Sequence, residues 1–311
     1  MHARAPYFNA PLRQEPTHGK PKPLLGRSLR WSDDEGGGYM AGTSVGAQLY
    51  VCSQIASEAG KPLDDMLDGC LQDIAAAGFD SIEWDLARVD TPEKAQQLSD
   101  RLRNHGLTLA GLYTGGALHD PAAASQTVRF VLSAARSALA AGCPGVTINP
   151  DPIGREKTDA ELACQASALE ELGAGLREIS MWLAVHTHDP EMRHNAREFR
   201  WNLDKTEPEL VGLCADVHWI YRGGQDPVAI MRQYASRLRS LHLRQSRQAV
   251  WCEELGAGDV EYWQIAPILS ETGFGGPLIV ELAYEFRTER TRPLREALAR
   301  SRNYVRGIFQ R

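Results

Sequence analysis

The chain has 311 residues, 43% hydrophobic and 24% charged, enough to bury a large core in one big domain or two small ones. A formal net charge of −6 with no basic stripe leaves no electrostatic footprint for a nucleic-acid backbone. No apolar run approaches the roughly 20 residues of a membrane helix, and the six cysteines form no C-x-x-C pair, so free thiols in a reducing cytoplasm fit better than a zinc site or a disulfide frame.

Residues 1–43 carry Arg, Pro and the Gly-rich stretch EGGGYMAGTS without the apolar centre of a secretory leader, and are expected to form a loosely ordered extension. Met40 stands just before the first strand-like segment, so Met1 and Met40 both fit as the natural start. From residue 44 to 311, short apolar, β-branched runs alternate with amphipathic stretches, as in parallel strands joined by crossover helices. The pattern predicts eight strands: VGAQLYV in the 46–52 region, SIEW (81–84), LTLAGLY (107–113), GVTIN (145–149), WLAVH (182–186), VGLCAD (211–216), LRSLHL (238–243) and PLIVEL (277–282).

The helices between them carry their own punctuation. PLDDMLDGCLQDIAAAG opens with Pro and acidic residues, spaces Met66, Leu67, Leu71 and Ile74 on one face, and stops at Gly78. TDAELACQASALEELGAGLREI has Thr158 or Asp159 as its cap and Glu161 in its first turn. Asp259 is expected to cap VEYWQIAPILSET, directly after the GAG turn at Gly256–Gly258. Eight such units in roughly 270 residues match a closed (β/α)8 TIM barrel, and no G-x-G-x-x-G follows a strand to suggest a dinucleotide fold.

Nearly every strand candidate is apolar until its last residues and then ends in groups that bind metal or move protons. The second ends in Glu83 and Asp85, the third in Tyr113, the fourth in Asn149 and Asp151, and the fifth in His186 and His188. The sixth ends in Asp216 and His218, the seventh in His242 and Arg244, and the eighth in Glu281. In a barrel these ends converge on one mouth, and residues two apart on a strand share a face, which pairs His186 with His188 and Asp216 with His218.

Burying so many ionisable groups costs several kcal/mol per unpaired charge, which a divalent cation offsets. Mixed imidazole and carboxylate ligands suit Mn, Co, Fe or Zn, and Mg if waters complete the shell, without selecting one. A lone His at a strand end is more often a surface or hydrogen-bonded residue; four successive strands delivering such groups favour a site at His186, Asp216, His242 and Glu281. Glu83 and Asp151 fit solvated or capping roles equally well, and Tyr113 and Asn149 fit pocket lining or scaffold. Trp84, Trp219 and Trp251 lie near strand ends where an indole stacks on a sugar ring; core packing explains Trp84 equally. Trp251 sits in QSRQAVWCEELGAGD, a loop too polar for core, and reads as a pocket lid.

GAQLY in the first strand, GFDSIEWD in the second, LAVHTHDPEM in the fifth, LCADVHW with RGGQDP in the sixth, LHLRQS with GAGDVEYW in the seventh and LIVEL in the eighth together resemble the xylose-isomerase-like barrel superfamily, over about residues 44–311. That superfamily includes sugar isomerases, ketose epimerases, inosose dehydratases and the endonuclease IV group. The resemblance implies a metal held by a Glu after strand five, an Asp or Glu after strand six, a His in strand seven and a Glu in strand eight. The last three fall on Asp216, His242 and Glu281, whereas His186 stands at the strand-five position. This departure removes one of the two opposed carboxylates that the ketose epimerases use, while the inosose dehydratases are similar in carrying His-x-His there. Trp219 falls at the family's usual His in D-x-x-H, with His218 one residue earlier, and Arg244 and Gln245 replace its usual Lys-Asp.

The chemistry so implied is a divalent-metal-dependent sugar or polyol isomerase or epimerase that abstracts a proton next to a carbonyl, with Glu281, His188 or His218 as base and acid. Arg244 would hold substrate oxygens in a fork, with Glu83, Asn149, Tyr113, Trp219 and Trp251 lining the pocket. The alternatives are β-elimination, as in an inosose dehydratase or keto-glycoside lyase, and a non-catalytic barrel that only binds a sugar. An endonuclease IV-like nuclease would need further histidines and a basic face, which this chain lacks. The expected partner is a small sugar or polyol, with no nucleic acid and no membrane, and homo-oligomers remain open.

Overall fold

The computed structural model describes residues 43–310, so the expected extension over 1–43 and the Met40 start lie outside the described residues apart from Thr43. Eight parallel strands close into a barrel: β1 (Val45–Gln48), β2 (Ser81–Asp85), β3 (Thr108–Gly116), β4 (Gly145–Pro150), β5 (Trp182–Val185), β6 (Gly212–Asp216), β7 (Leu238–Leu243) and β10 (Leu278–Val280). Ring closure runs through β1, which pairs with β2 on one side and with β10 on the other, Ala47 lying opposite Ile82 and Val280. A two-stranded antiparallel hairpin, β8 (Ser246–Arg247) and β9 (Val250–Trp251), stands on the β7 side of the mouth. Among the described residues no helix is long and apolar enough to cross a membrane.

The helices around the ring are α1 (Tyr50–Glu58), α2 (Leu63–Ala76), α3 (Pro92–Asn104), α4 (Pro121–Ala138), α5 (Asp159–Glu178), α6 (Asp189–Asp204), α7 (Val217–Arg222), α8 (Pro227–Tyr234), α9 (Ala266–Glu271) and α10 (Leu294–Phe309). Three begin the same way. Thr91, Asp120 and Asp226 accept backbone N–H bonds as caps, and a proline follows each at the first helical position, where its missing N–H costs nothing. Thr158 and Glu161 make a reciprocal capping box on α5, which identifies Thr158 rather than Asp159 as the cap. On α2, Leu67, Leu71 and Ile74 are buried at helical spacing against the sheet, each side chain contributing about 1.5–3 kcal/mol.

Three local differences from the sequence pattern have physical causes. The first strand ends at Gln48, because Val51, Cys52 and Ala56 bury one face of α1 and this tertiary packing overrides the β-branched character of the segment. The segment after Asp259 is not one capped helix: it forms a 3-10 turn at Tyr262–Gln264 and restarts as α9, with Pro267 in the new first turn. Finally, α6 contains a corner where His194, Asn195 and Ala196 all take left-handed φ values of 51°, 58° and 56°.

Candidate metal centre

Four of the strand ends meet inside the ring. One ligand atom from each of His186, Asp216, His242 and Glu281 lies within 4.8 Å of the others, and all four residues are buried. The first three are at most 1% exposed and Glu281 is 6%, so the group opens towards Glu281 and the neighbouring His188, which is 9% exposed. These are the four residues the strand-end pattern selected as ligands.

The hydrogen bonds around the group leave donors facing inward. The amide oxygen of Asn149 lies 3.1 Å from His186 Nδ1, which makes that nitrogen the protonated one and turns the Nε2 lone pair towards Asp216 Oδ2, 3.6 Å away. Neither His186 Nε2 nor Asp216 Oδ2 has a hydrogen-bond partner among the described residues. Asp216 uses its other oxygen, Oδ1, to cap α7 through the Trp219 N–H at 2.9 Å. His242 lies between two carboxylates, with Nδ1 2.9 Å from Glu281 Oε2 and Nε2 2.9 Å from Glu83 Oε2. Buried polar atoms left without partners cost about 1–3 kcal/mol each, and a divalent cation satisfies such a set of lone pairs at once. The residues therefore fit a metal.

The electrostatics of these side chains follow from crowding. Burial, and then the neighbouring His242, push His186 well below the usual imidazole range. Burial, and then His186, bring His188 down to about 3. Burial works against charge on His242, yet Cys214, Glu83 and Glu281 around it outweigh that and raise it. Burial alone would raise Glu281, but the Arg244 guanidinium, and after it His242, hold its carboxyl below the ordinary carboxylate range.

The remaining expected residues divide into those at the group and those beside it. The Tyr113 ring lies 5.4 Å from that of His186 and 6.4 Å from that of His242, and the His188 ring is 4.8 Å from His186 and 5.2 Å from Trp219. Arg244 is fully buried; Nη2 pairs with Glu281, Nε donates to the Glu281 carbonyl at 3.1 Å, and Nη1 has no hydrogen-bond partner among the described residues. Its guanidinium lies over Trp251 at 4.2 Å and Trp219 at 5.7 Å. His218 falls on α7 rather than on a strand, so the two-residue alternation does not carry it beside Asp216; its Nε2 meets Ser246 Oγ at 2.9 Å instead. Glu83 is neither solvated nor a cap: it is fully buried against His242, while Asp85, two residues on, is exposed and caps the next turn.

Trp251 is buried at 4% despite its polar loop, because it packs on arginines rather than on aliphatic core. Its outer side lines a cavity of about 430 Å³ together with Arg247, Glu253 and Arg292, none of which belongs to the metal-binding group. Two partners of Trp251 escaped the sequence reading. Arg222 lies over its ring at 4.8 Å, and Glu285, paired with Arg222 at 3.0 Å, accepts the Trp251 backbone N–H at 2.8 Å. Glu191 escaped too, although its place three residues after His188 is a capping signature: it accepts the His188 N–H at 2.8 Å, and burial raises its carboxyl to about 8.

The hairpin that carries Trp251 turns through Gln248 and Ala249, both left-handed at φ 51° and 60°, where Asn-Gly would be easier. Asp259 holds that turn, accepting the N–H of Gln248 at 3.0 Å, the N–H of Ala249 at 2.8 Å and the hydroxyl of Ser246 at 2.6 Å, which replaces the helix-capping role expected of it. Asp259→Ala is therefore expected to cost about 2 kcal/mol of stability, since three bonds of about 1 kcal/mol each go and relaxation of the turn returns part. Urea unfolding reads the loss, and faster trypsin cleavage after Arg247 locates it; unchanged cleavage would show that the hairpin holds without the carboxylate.

The chain is similar to known proteins over much of its length. The family profile described as "Xylose isomerase-like TIM barrel" matches residues 71–304. An inosose dehydratase of Clostridium tetani (strain Massachusetts / E88) is 28% identical over 175 residues, 50% of this chain and 58% of that protein. One from Geobacillus kaustophilus (strain HTA426) is 26% identical over 247 residues, 69% of this chain and 79% of that protein. Against several other inosose dehydratases the chain spans about half of their length. Among solved structures, a sugar phosphate isomerase/epimerase from Parabacteroides distasonis ATCC 8503 superposes with a TM-score of 0.69 at 20% identity, covering 85% of this chain and 94% of that one, a likeness of fold.

Proposed function

Because the chain belongs to the xylose isomerase-like TIM barrel family, we propose that it is a divalent-metal-dependent enzyme that removes a proton next to the carbonyl of a keto-sugar or inosose. The observation that carries this reading is the convergence of His186, Asp216, His242 and Glu281, with His186 Nε2 and Asp216 Oδ2 left without hydrogen-bond partners among the described residues. These four residues would hold the cation, which when bound supplies Lewis acidity at a substrate oxygen.

The protein side of the reaction follows from the remaining groups. Glu281 is tied to His242 and Arg244 and held in its low range, which makes it a weak base and a good ligand. His188 stands on the more open side of the group, which places its ring to take the proton from carbon. Arg244 directs Nη1 to a substrate oxygen, its plane fixed by Trp219 and Trp251. Asn149 keeps the His186 ring in one orientation.

Proton return to the opposite face of the same carbon gives an epimer, and delivery to the former carbonyl carbon gives an isomer; loss of a β-hydroxyl gives a dehydrated product. His186 leaves no carboxylate on strand five to oppose Glu281, and several curated relatives are inosose dehydratases, so dehydration is the favoured outcome and epimerisation the second. The test is a panel of inososes and keto-sugars incubated with Mn²⁺ in D₂O and followed by proton NMR. Deuterium next to the carbonyl together with an enone or enol product is expected from an inosose; exchange without loss of hydroxyl selects the epimerase. Absence of exchange in every compound with Mn²⁺, Co²⁺, Mg²⁺ and Zn²⁺ would refute carbon-acid chemistry.

A further inference from the structure

Arg222 ends α7 and Glu285 follows β10, and neither has a part in the reaction described above. They meet at the hairpin. Arg222 Nη2 pairs with both oxygens of Glu285, at 3.0 and 3.3 Å, and donates to the Ala249 carbonyl at 2.9 Å. Glu285 Oε1 accepts the backbone N–H of Trp251 at 2.8 Å. The Arg222 guanidinium also lies over the Trp251 ring at 4.8 Å, so one side chain grips the hairpin both at its turn and at its indole. Arg244 lies over the same ring at 4.2 Å. Two cations on one indole repel each other, and the arrangement holds because each has its own carboxylate, Glu281 for Arg244 and Glu285 for Arg222. Among the described residues β8 and β9 form a sheet of two strands that pairs with no strand of the barrel, and a hairpin of that size is marginal by itself. Asp259 sets the shape of its turn, whereas Arg222 and Glu285 fasten it to α7 and to the segment after β10.

We propose that Arg222 and Glu285 are positioning residues for Arg244: they hold the Trp251 indole against its guanidinium and so fix the direction in which Nη1 meets a substrate oxygen. The inference rests on the role given to Arg244 above and adds two residues that act through Trp251 and not on the substrate itself. Glu281 holds Arg244 at Nε and Nη2, which fixes one edge of the guanidinium. A flat indole against its face removes the remaining freedom, rotation of the plane about that edge. The indole does this only while it stays in place, and the contacts that keep it there come from Arg222 and Glu285. An arginine suits position 222 because a planar fork reaches a carboxylate, a carbonyl and an aromatic ring at once, which a compact lysine ammonium does not.

The test compares the full chain with three variants. Arg222→Gln removes the charge and the flat cation, Arg222→Lys keeps the charge alone, and Glu285→Gln keeps an acceptor for the Trp251 N–H without the ion pair. Arg244 has no exposure, so its reaction with phenylglyoxal, read by mass spectrometry as loss of tryptic cleavage after Arg244, reports how often it is uncovered. Arg237 is the internal standard, since it is 8% exposed and bonded to the Thr206 and Val211 carbonyls at the opposite end of β7. Labelling of Arg244 is expected to be about tenfold faster in Arg222→Gln and to rise by a smaller factor in Arg222→Lys and Glu285→Gln, with Arg237 unchanged throughout. With whichever ketone exchanges deuterium in the wild type, KM is expected to rise about tenfold in Arg222→Gln while kcat falls less, a split that a merely structural fastening would not produce. Wild-type labelling of Arg244 in a folded Arg222→Gln would overturn the proposal. Equal acceleration at Arg237 would overturn it too, as general loosening of the barrel, and so would an unchanged KM despite faster labelling. If no ketone exchanges in the wild type, the functional reading fails by itself, and the labelling still decides whether Arg222 and Glu285 hold Arg244 in place.

Discussion

Asp216→Asn is expected to leave the barrel folded, to weaken Mn²⁺ binding by about 100-fold and to lower turnover by about 1,000-fold, equivalent to about 4 kcal/mol at the transition state. The two carboxylate oxygens have separate duties, which makes this substitution unusually clean. Oδ1 caps α7 through the Trp219 N–H, and an asparagine oxygen does that as well. Oδ2 has no hydrogen-bond partner among the described residues and faces His186 Nε2, so only there does loss of charge matter. Asp216→Ala would also remove the cap, costing about 1 kcal/mol of stability, and would confuse folding with binding. Calorimetric titration of the apo-protein with Mn²⁺ decides the matter: wild-type affinity in a folded Asp216→Asn would take Asp216 out of the ligand set.

The second large effect concerns stability alone. Gly173 is buried in the middle of α5, where replacing glycine by alanine ordinarily gains about 1 kcal/mol. Here a β-carbon would press into the Leu210 carbonyl oxygen and lie 2.8 Å from the carbonyl carbon, atoms of a backbone that has no rotamer to change. Overpacking of that kind costs about 3 kcal/mol, so Gly173→Ala is expected to destabilise by about 2 kcal/mol and to lower Tm by about 4–8 °C. Gly69 in α2 is the control, with open space where its β-carbon would stand, and Gly69→Ala is expected to stabilise by about 0.5–1 kcal/mol. Thermal melts of the two variants should move in opposite directions; a shared direction would mean that α5 shifts away from Leu210 at little cost.

The barrel was legible because its strands are short apolar runs separated by amphipathic stretches of helix length, and helices such as α2 and α5 carry local start signals, Pro62 with Asp64 and Asp65 in the one and Thr158 with Glu161 in the other. The four-residue group was legible for a related reason: parallel strands place their C-terminal ends at one mouth, so a polar residue at the end of an apolar run is already located in space. Where the chain leaves the strands this logic ends. His218 lies two residues beyond Asp216, in the first turn of α7, and helical geometry sends it to Ser246. Asp259 looks like a helix cap in isolation, but its acceptors are taken by a hairpin ten residues earlier, a long-range preference without a sequence period. Trp251 and Arg244 hide each other in the sequence, since a polar loop becomes buried only when cation and indole stack.

A continuous helix acts as a lever, so that tilting one end displaces the other; the corner at His194–Ala196 breaks that lever just outside strand five. The short arm that remains is bolted to its surroundings, Glu191 to the His188 N–H and the Met192 carbonyl to Gln225. A tilt of the outer arm, from Arg197 to Asp204, would be taken up at the bend before it reached the imidazoles. Substitutions on the outward side of that arm are accordingly expected to leave the positions of His186 and His188 unchanged.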